Sequence, residues 1–141
     1  MRRLLPLVLL ALVLVSSSPA VAATSLESRI EAATGIVRPV DAALQARAAI
    51  RAVEVQTDFS HCCLASNEAE IIARNSGFDD PEAQLVASWL ASPDHAAILG
   101  NPDWHNIGCA VALSGARTYG VCLFAAAAAP PNSMPNTALP S

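Results

Sequence analysis

Three histidines, His61, His95 and His105, and two close carboxylates, Glu68 and Glu70, are the side chains in this chain best suited to chemistry. Neutral imidazoles with a carboxylate form a ligand set that suits zinc, with the fourth position open to water. Zinc lowers the pKa of that water, and a carboxylate beside it can take the proton. Against this, a single histidine is most often a hydrogen-bonded loop or core residue, and these three are scattered along the chain. Other familiar machinery is missing from the sequence. It contains no G-x-S-x-G, no P-loop, no G-x-G-x-x-G, no H-E-x-x-H and no C-x-x-C. No nucleophile, base and orienting group can be read as a set.

Four cysteines carry a second kind of chemistry: Cys62, Cys63, Cys109 and Cys122. Ile107 to Leu113 and Thr118 to Phe124 are β-rich runs around Ser114-Gly115-Ala116-Arg117, which reads as a hairpin. With Gly115 and Ala116 as the loop, cross-strand partners sum to 231, and so do Cys109 and Cys122. Counting outward, that pair occupies a non-hydrogen-bonded site, where side chains come closest and a disulfide fits. Cys62 and Cys63 are adjacent and would point to opposite sides of a strand. They are left as a vicinal disulfide, as free thiols, or as partners of other groups.

The two ends of the chain set the context. Arg2 and Arg3 precede an apolar run from Leu4 to Val15, and Ser16-Ser17-Ser18-Pro19 and Ala20-Val21-Ala22 follow. This is the pattern of a secretory signal over residues 1–23, cleaved near Ala22 or Ala23 and too short to be a membrane anchor. An even number of cysteines in an exported chain points to disulfides. The expected location is therefore extracellular, periplasmic or in the cell envelope, with no membrane-spanning segment after processing. From Ala125 the sequence becomes Ala/Pro-rich, and residues 126–141 read as a disordered tail. The folded body is expected over residues 24–125, which is one domain.

Composition limits the partners. The 141 residues are 53% hydrophobic and 14% charged, with net charge −4, and every positive side chain is Arg. Loss of Arg2 and Arg3 takes the net charge to −6. No basic surplus remains for nucleic acid, and 4% aromatics is too few for a base-stacking surface.

The elements that must position these side chains can be sketched. A first helix is expected over Ser25–Ala33, with Glu27 in its first turn and Gly35 ending it. Pro39 opens a longer one, Val40 to Gln56, with an apolar stripe of Ala43, Ala46, Ile50 and Val53 widened by Leu44. Phe59 to Leu64 reads as a strand or extended segment, and Glu68 to Arg74 is ambiguous. Asp80 with Pro81 starts a helix whose stripe is Leu85, Val86, Trp89 and Leu90. Ser92-Pro93-Asp94 starts a short one that Gly100 closes.

The order of features then becomes specific. Gly35, Pro39, Asp41, Leu44, Ala48 and Ala52 are followed by Phe59-Ser60-His61. Later come Trp89-x-x-Ser92-Pro93-x-His95-x-x-Ile98-Leu99, Ile107-Gly108-x-Ala110 and Tyr119-Gly120-Val121-x-Leu123-Phe124. This resembles the CAP superfamily of cysteine-rich secretory, antigen-five and pathogenesis-related proteins, in its bacterial SCP-like branch. The resemblance spans about Leu26 to Phe124, and the Trp-Ser-Pro-His element is its most specific part. It implies an α+β fold, a three-layer α-β-α sandwich with a small antiparallel sheet. It also implies a cleft with two histidines and acidic residues that binds divalent metal in some members. By position these are His61, Glu70 and His95, with Glu68 as the fallback carboxylate. The Gly and Asn of the family's G-E-N-I step are replaced by Ala69 and Ile71. The second acidic residue of the eukaryotic cleft has no match, although Asp94 is near.

Three functions follow from these residues. The first is a secreted binding or interaction module without catalytic machinery. It would take a divalent metal such as zinc, or a small lipid, in the His/Glu cleft and act on an extracellular or cell-envelope partner. The second is a zinc-dependent hydrolase using His61, Glu70 and His95. The third is a disulfide-stapled structural scaffold.

Overall fold

The computed structural model describes residues 24–127. The expected export signal, and the expected tail from residue 128 on, lie outside the described residues. The elements run α1 Ser25–Thr34, α2 Ala42–Glu54, β1 Glu68–Ser76, α3 Pro81–Ala91, α4 Pro93–Leu99, β2 Trp104–Ser114 and β3 Arg117–Ala126. The three strands form one antiparallel sheet in the order β1-β3-β2. Helix α2 covers one face, and α1, α3 and α4 cover the other. This is the three-layer α-β-α sandwich.

Local chemistry explains the helix ends. Glu27, in the first turn of α1, accepts the Thr24 N–H with one carboxylate oxygen. Its other oxygen accepts the Cys109 N–H at 2.8 Å, tying α1 to β2. Gly35 takes a left-handed φ of 69° and caps the carbonyl of Glu31. Asp80 accepts the Ala83 N–H, and Pro81 and Pro93 stand at the starts of α3 and α4, as the sequence predicts.

Helix α2 starts later than its sequence suggests. Asp41, not a residue before Val40, is the N-cap and accepts the Leu44 N–H at 2.9 Å. Val40 is held in an extended bridge to Ile107, so it cannot be helical. The buried side of α2 is Leu44, Ala48, Arg51 and Ala52, with Val55 just beyond. The expected stripe faces solvent: Ile50 and Val53 are 61% and 60% exposed, and Ala43 and Ala46 are exposed too. The physical reason is Arg51. Counting apolar residues excludes a charged side chain from the core face, whereas here Arg51 is buried on it against a carboxylate. Leu90, expected in the α3 stripe, is likewise 42% exposed, while Leu85, Val86 and Trp89 are buried.

The hairpin has the expected register. Ser114 pairs with Arg117, Cys109 with Cys122, and a disulfide joins the latter with Cα atoms 4.1 Å apart. Glu68 to Arg74, ambiguous in sequence, lies within β1 and pairs along β3 from Glu68↔Ala125 onward. Phe59 to Leu64 is irregular and joins no sheet. Strand β3 runs to Ala126, one residue past the expected boundary. Small residues let α2 sit close to the sheet: a Cβ on Gly108 would lie 2.2 Å from the Gln45 nitrogen.

Candidate functional site

The site forms where α2, the irregular loop before β1, and α4 meet. Strand alternation sends Glu68, Glu70 and Ile72 to the α2 side of β1 and Ala69 and Ile71 to the other. Two carboxylates therefore face α2 two residues apart. Arg47 and Arg51 face them four residues apart on the helix. Four helical residues advance about 6 Å and two strand residues about 6.6 Å, so the two pairs match in step.

Both pairs close. Arg47 donates to the two oxygens of Glu68 at 2.6 and 2.8 Å. That pair lies near solvent, with the Arg47 side chain 42% exposed. Arg51 Nε donates to Glu70 Oε2 at 2.8 Å and its Nη2 to Oε1 at 3.2 Å, and the Glu70 side chain is fully buried. Arg51 also donates to the Ser60 carbonyl and to Glu54, each at 2.7 Å. It thus ties α2 to β1 and to the loop. The hydrogen bond to Glu70 holds the Arg51 guanidinium well above its usual pKa. The Arg47 guanidinium likewise holds the Glu68 carboxyl below its usual value.

His61 follows the anchored Ser60 and points its Nδ1 at Glu70 Oε1, 3.0 Å away. An ionised carboxylate only accepts, so His61 Nδ1–H donates, which leaves Nε2 free to bind. His95, in the first turn of α4, is half-buried with its ring centroid 6.5 Å from that of His61. Burial pushes the His95 pKa down from its usual 6.5; His61 lowers it further and Asp94 opposes. A cavity of about 140 Å³ opens beside this group, with Arg47, Ile50, Arg51, Cys62, Cys63 and Glu70 in its wall.

The structure therefore brings His61, Glu70 and His95 into one neighbourhood. Among the described residues, no three or more His, Cys, Asp or Glu side chains stand together so as to hold an ion. Glu70 spends its oxygens on Arg51 and His61. Glu68, the fallback, faces the same way but belongs to Arg47. His105 is exposed beside the register shift between Trp104 and Asn106. Sequence reasoning missed Arg47 and Arg51. Their signal was present: two arginines at i and i+4, matched by two glutamates at i and i+2.

Cys62 and Cys63 are joined by a vicinal disulfide, which settles the three alternatives. No free cysteine remains among the described residues. No helix among them is long and apolar enough to cross a membrane.

The layering and strand order are those of an α-β-α sandwich. Residues 39–124 match the cysteine-rich secretory protein family, CAP, and the chain belongs to it. Several solved structures are similar. An outer surface protein from Borrelia burgdorferi aligns with a TM-score of 0.55 and 19% identity, over 72% of this chain and 89% of that one. NaASP2, crystallised with Zn²⁺, aligns at 0.46 and 16%, over 70% and 73%. Hookworm platelet inhibitor aligns at 0.40 and 19%, over 74% and 67%. No curated protein sequence matches the chain.

Proposed function

We propose that this protein is an extracellular interaction module whose recognition surface is the His61/His95 site and the cavity beside it. CAP-family membership supports the extracellular module. The observation that carries the site assignment is the Arg51–Glu70–His61 chain of contacts. It fixes a binding imidazole without leaving a free base. Glu70 can abstract a proton only by breaking a buried ion pair, which weighs against the hydrolase reading.

Zinc fits this site as a two-imidazole ion. A metal-bound histidine usually donates its second N–H to a carboxylate, and His61 does so to Glu70. Glu70 is then a positioning residue and not a ligand. A lowered His95 pKa keeps its ring neutral, the form that binds metal. His61 and His95 would hold the ion, their ring centroids standing 6.5 Å apart. A bound zinc would supply a Lewis-acid anchor for a partner group.

The test is a zinc titration of the oxidised protein by calorimetry, alongside His61→Ala/His95→Ala. One zinc per wild-type chain and none for the double variant is the expected result. Equal uptake by both proteins, or none by either, removes the metal reading. A peptide library incubated with and without chelator checks the hydrolase. Chelator-sensitive turnover that His95→Ala abolishes would overturn the binding-module reading.

A further inference from the structure

The loop that carries His61 contains an accessible disulfide of unusual placement. Cys62 and Cys63 are neighbours in sequence, with Cα atoms 3.8 Å apart. Cys63 is exposed and Cys62 half-buried, whereas Cys109 and Cys122 are both fully buried. Cys63 also has φ +66°, the left-handed region, and is alone among the described non-glycine residues in doing so. An L-residue with a Cβ takes up that conformation at a cost, and here the ring joining two adjacent cysteines imposes it.

Little else holds this stretch of backbone. From His61 to Leu64 there is no backbone–backbone hydrogen bond among the described residues. The contacts that do exist come from the site itself. Arg51 binds the Ser60 carbonyl at 2.7 Å, Arg47 reaches the Cys63 carbonyl at 3.4 Å, and Glu70 receives His61. Both cysteines line the cavity beside Arg47 and Arg51. The covalent ring therefore sits between the histidine that precedes it and the cavity it lines.

We propose that Cys62–Cys63 is a redox switch on the candidate site, opened by a dithiol reductant. One thiol of the reductant, as thiolate, attacks the exposed Cys63 Sγ, breaks the Sγ–Sγ bond and releases the Cys62 thiolate. The second thiol of the reductant then attacks the mixed disulfide and frees Cys63. The dithiol is oxidised to a disulfide, and two electrons and two protons end on the cysteine pair. Once opened, Cys63 relaxes to negative φ, its carbonyl leaves Arg47, and His61 turns away from Glu70. The oxidised form holds the binding imidazole in place and the reduced form releases it. Reduction and loop response stand apart from the metal reading; only the change in zinc affinity rests on it.

The experiment titrates the full oxidised chain with dithiothreitol, traps thiols with N-ethylmaleimide and maps them by peptide mass. Cys62–Cys63 is expected to open at about tenfold lower dithiol concentration than Cys109–Cys122, or less. At that concentration the His61 ring resonances move, while those of the buried Trp89 ring are unchanged. Cys62→Ser/Cys63→Ser is expected to reproduce the His61 shift without reductant, and selective reduction of the wild type provides the same readout if that variant folds poorly. Simultaneous opening of both disulfides, or selective opening that leaves His61 unmoved, overturns the switch. With zinc chloride as probe, weaker binding after selective reduction supports both readings. A His61 shift with no zinc bound by either form supports the switch and removes the metal reading.

Discussion

On one face of the sheet, Leu26, Ile30, Ile71, Leu85, Trp89 and Phe124 pack around the Cys109–Cys122 disulfide. On the other, Leu44, Ala48, Ala52, Tyr119, Val121 and Leu123 pack under α2, and the Arg51–Glu70 pair is buried at their edge. The first face uses bulk and a covalent staple. The second uses small residues, close backbone approach and paired charge. Apolar packing gives stability without direction. A buried ion pair gives little net stability but fixes groups in orientation, because any other arrangement strands a charge. The Arg51–Glu70–His61 part of the candidate site lies on the second face, and His95 reaches it from α4 on the first.

The largest effects should come from breaking either face at its centre. Phe124→Ala removes a fully buried ring and should cost about 3–5 kcal/mol in urea unfolding. Glu70→Ala should cost a similar amount, about 3–5 kcal/mol, by removing the buried partner of Arg51 and leaving it only the half-exposed Glu54. The faces separate in the rescue. Arg51→Met with Glu70→Leu should recover most of the stability, yet the His61 resonances should remain displaced. A double variant as unstable as Glu70→Ala would mean that the charged face contributes stability as the apolar face does.

The two disulfides give the next contrast. Cys109 and Cys122 are separated by 13 residues in sequence, so Cys109→Ala/Cys122→Ala should cost about 3 kcal/mol. Cys62 and Cys63 close almost no chain, so their double Ser variant should change the unfolding midpoint far less.

The two close-packed glycines come third. At Gly108 a Cβ meets the α2 backbone at 2.2 Å; at Gly120 it meets the end of the Leu85 side chain at 2.7 Å. Gly108→Ala should therefore cost about 1–3 kcal/mol and Gly120→Ala less, since Leu85 can rotate. Equal losses would show that both faces are equally rigid.

The smallest effect is in pH. Folding lowers the His95 pKa below 6.5, so the unfolded chain binds the proton more readily. Its contribution to stability is present above the unfolded value of 6.5 and is lost as pH falls through it towards the folded value. His95→Gln should flatten the stability profile between neutral pH and about pH 5, measured by thermal melts. A profile that keeps its slope would assign the effect to another group.

Several elements were legible because their causes are local. Asp80-Pro81 starts α3 through its own cap, and Gly115-Ala116 sets a register that places Cys109 opposite Cys122. His61, Glu70 and His95 could be named from their place in a family pattern. Strand β1 was obscured because its α2-facing side begins with Glu68 and Glu70, which break the apolar alternation of a buried strand. The stripe of α2 was misplaced by nearly half a turn for the complementary reason, the burial of Arg51.

The amino-acid sequence by itself determined the starts of α3 and α4, the hairpin and its disulfide, the family, and the residue types at the site. Only the tertiary structure decided which face of α2 turns inward, that Cys62 and Cys63 join each other, and that Glu70 serves Arg51 and His61. The first set depends on interactions within a few residues or across one turn, which spacing encodes. The second depends on whether a charge finds its opposite across two elements. That compensation becomes visible only when α2 and β1 are laid side by side.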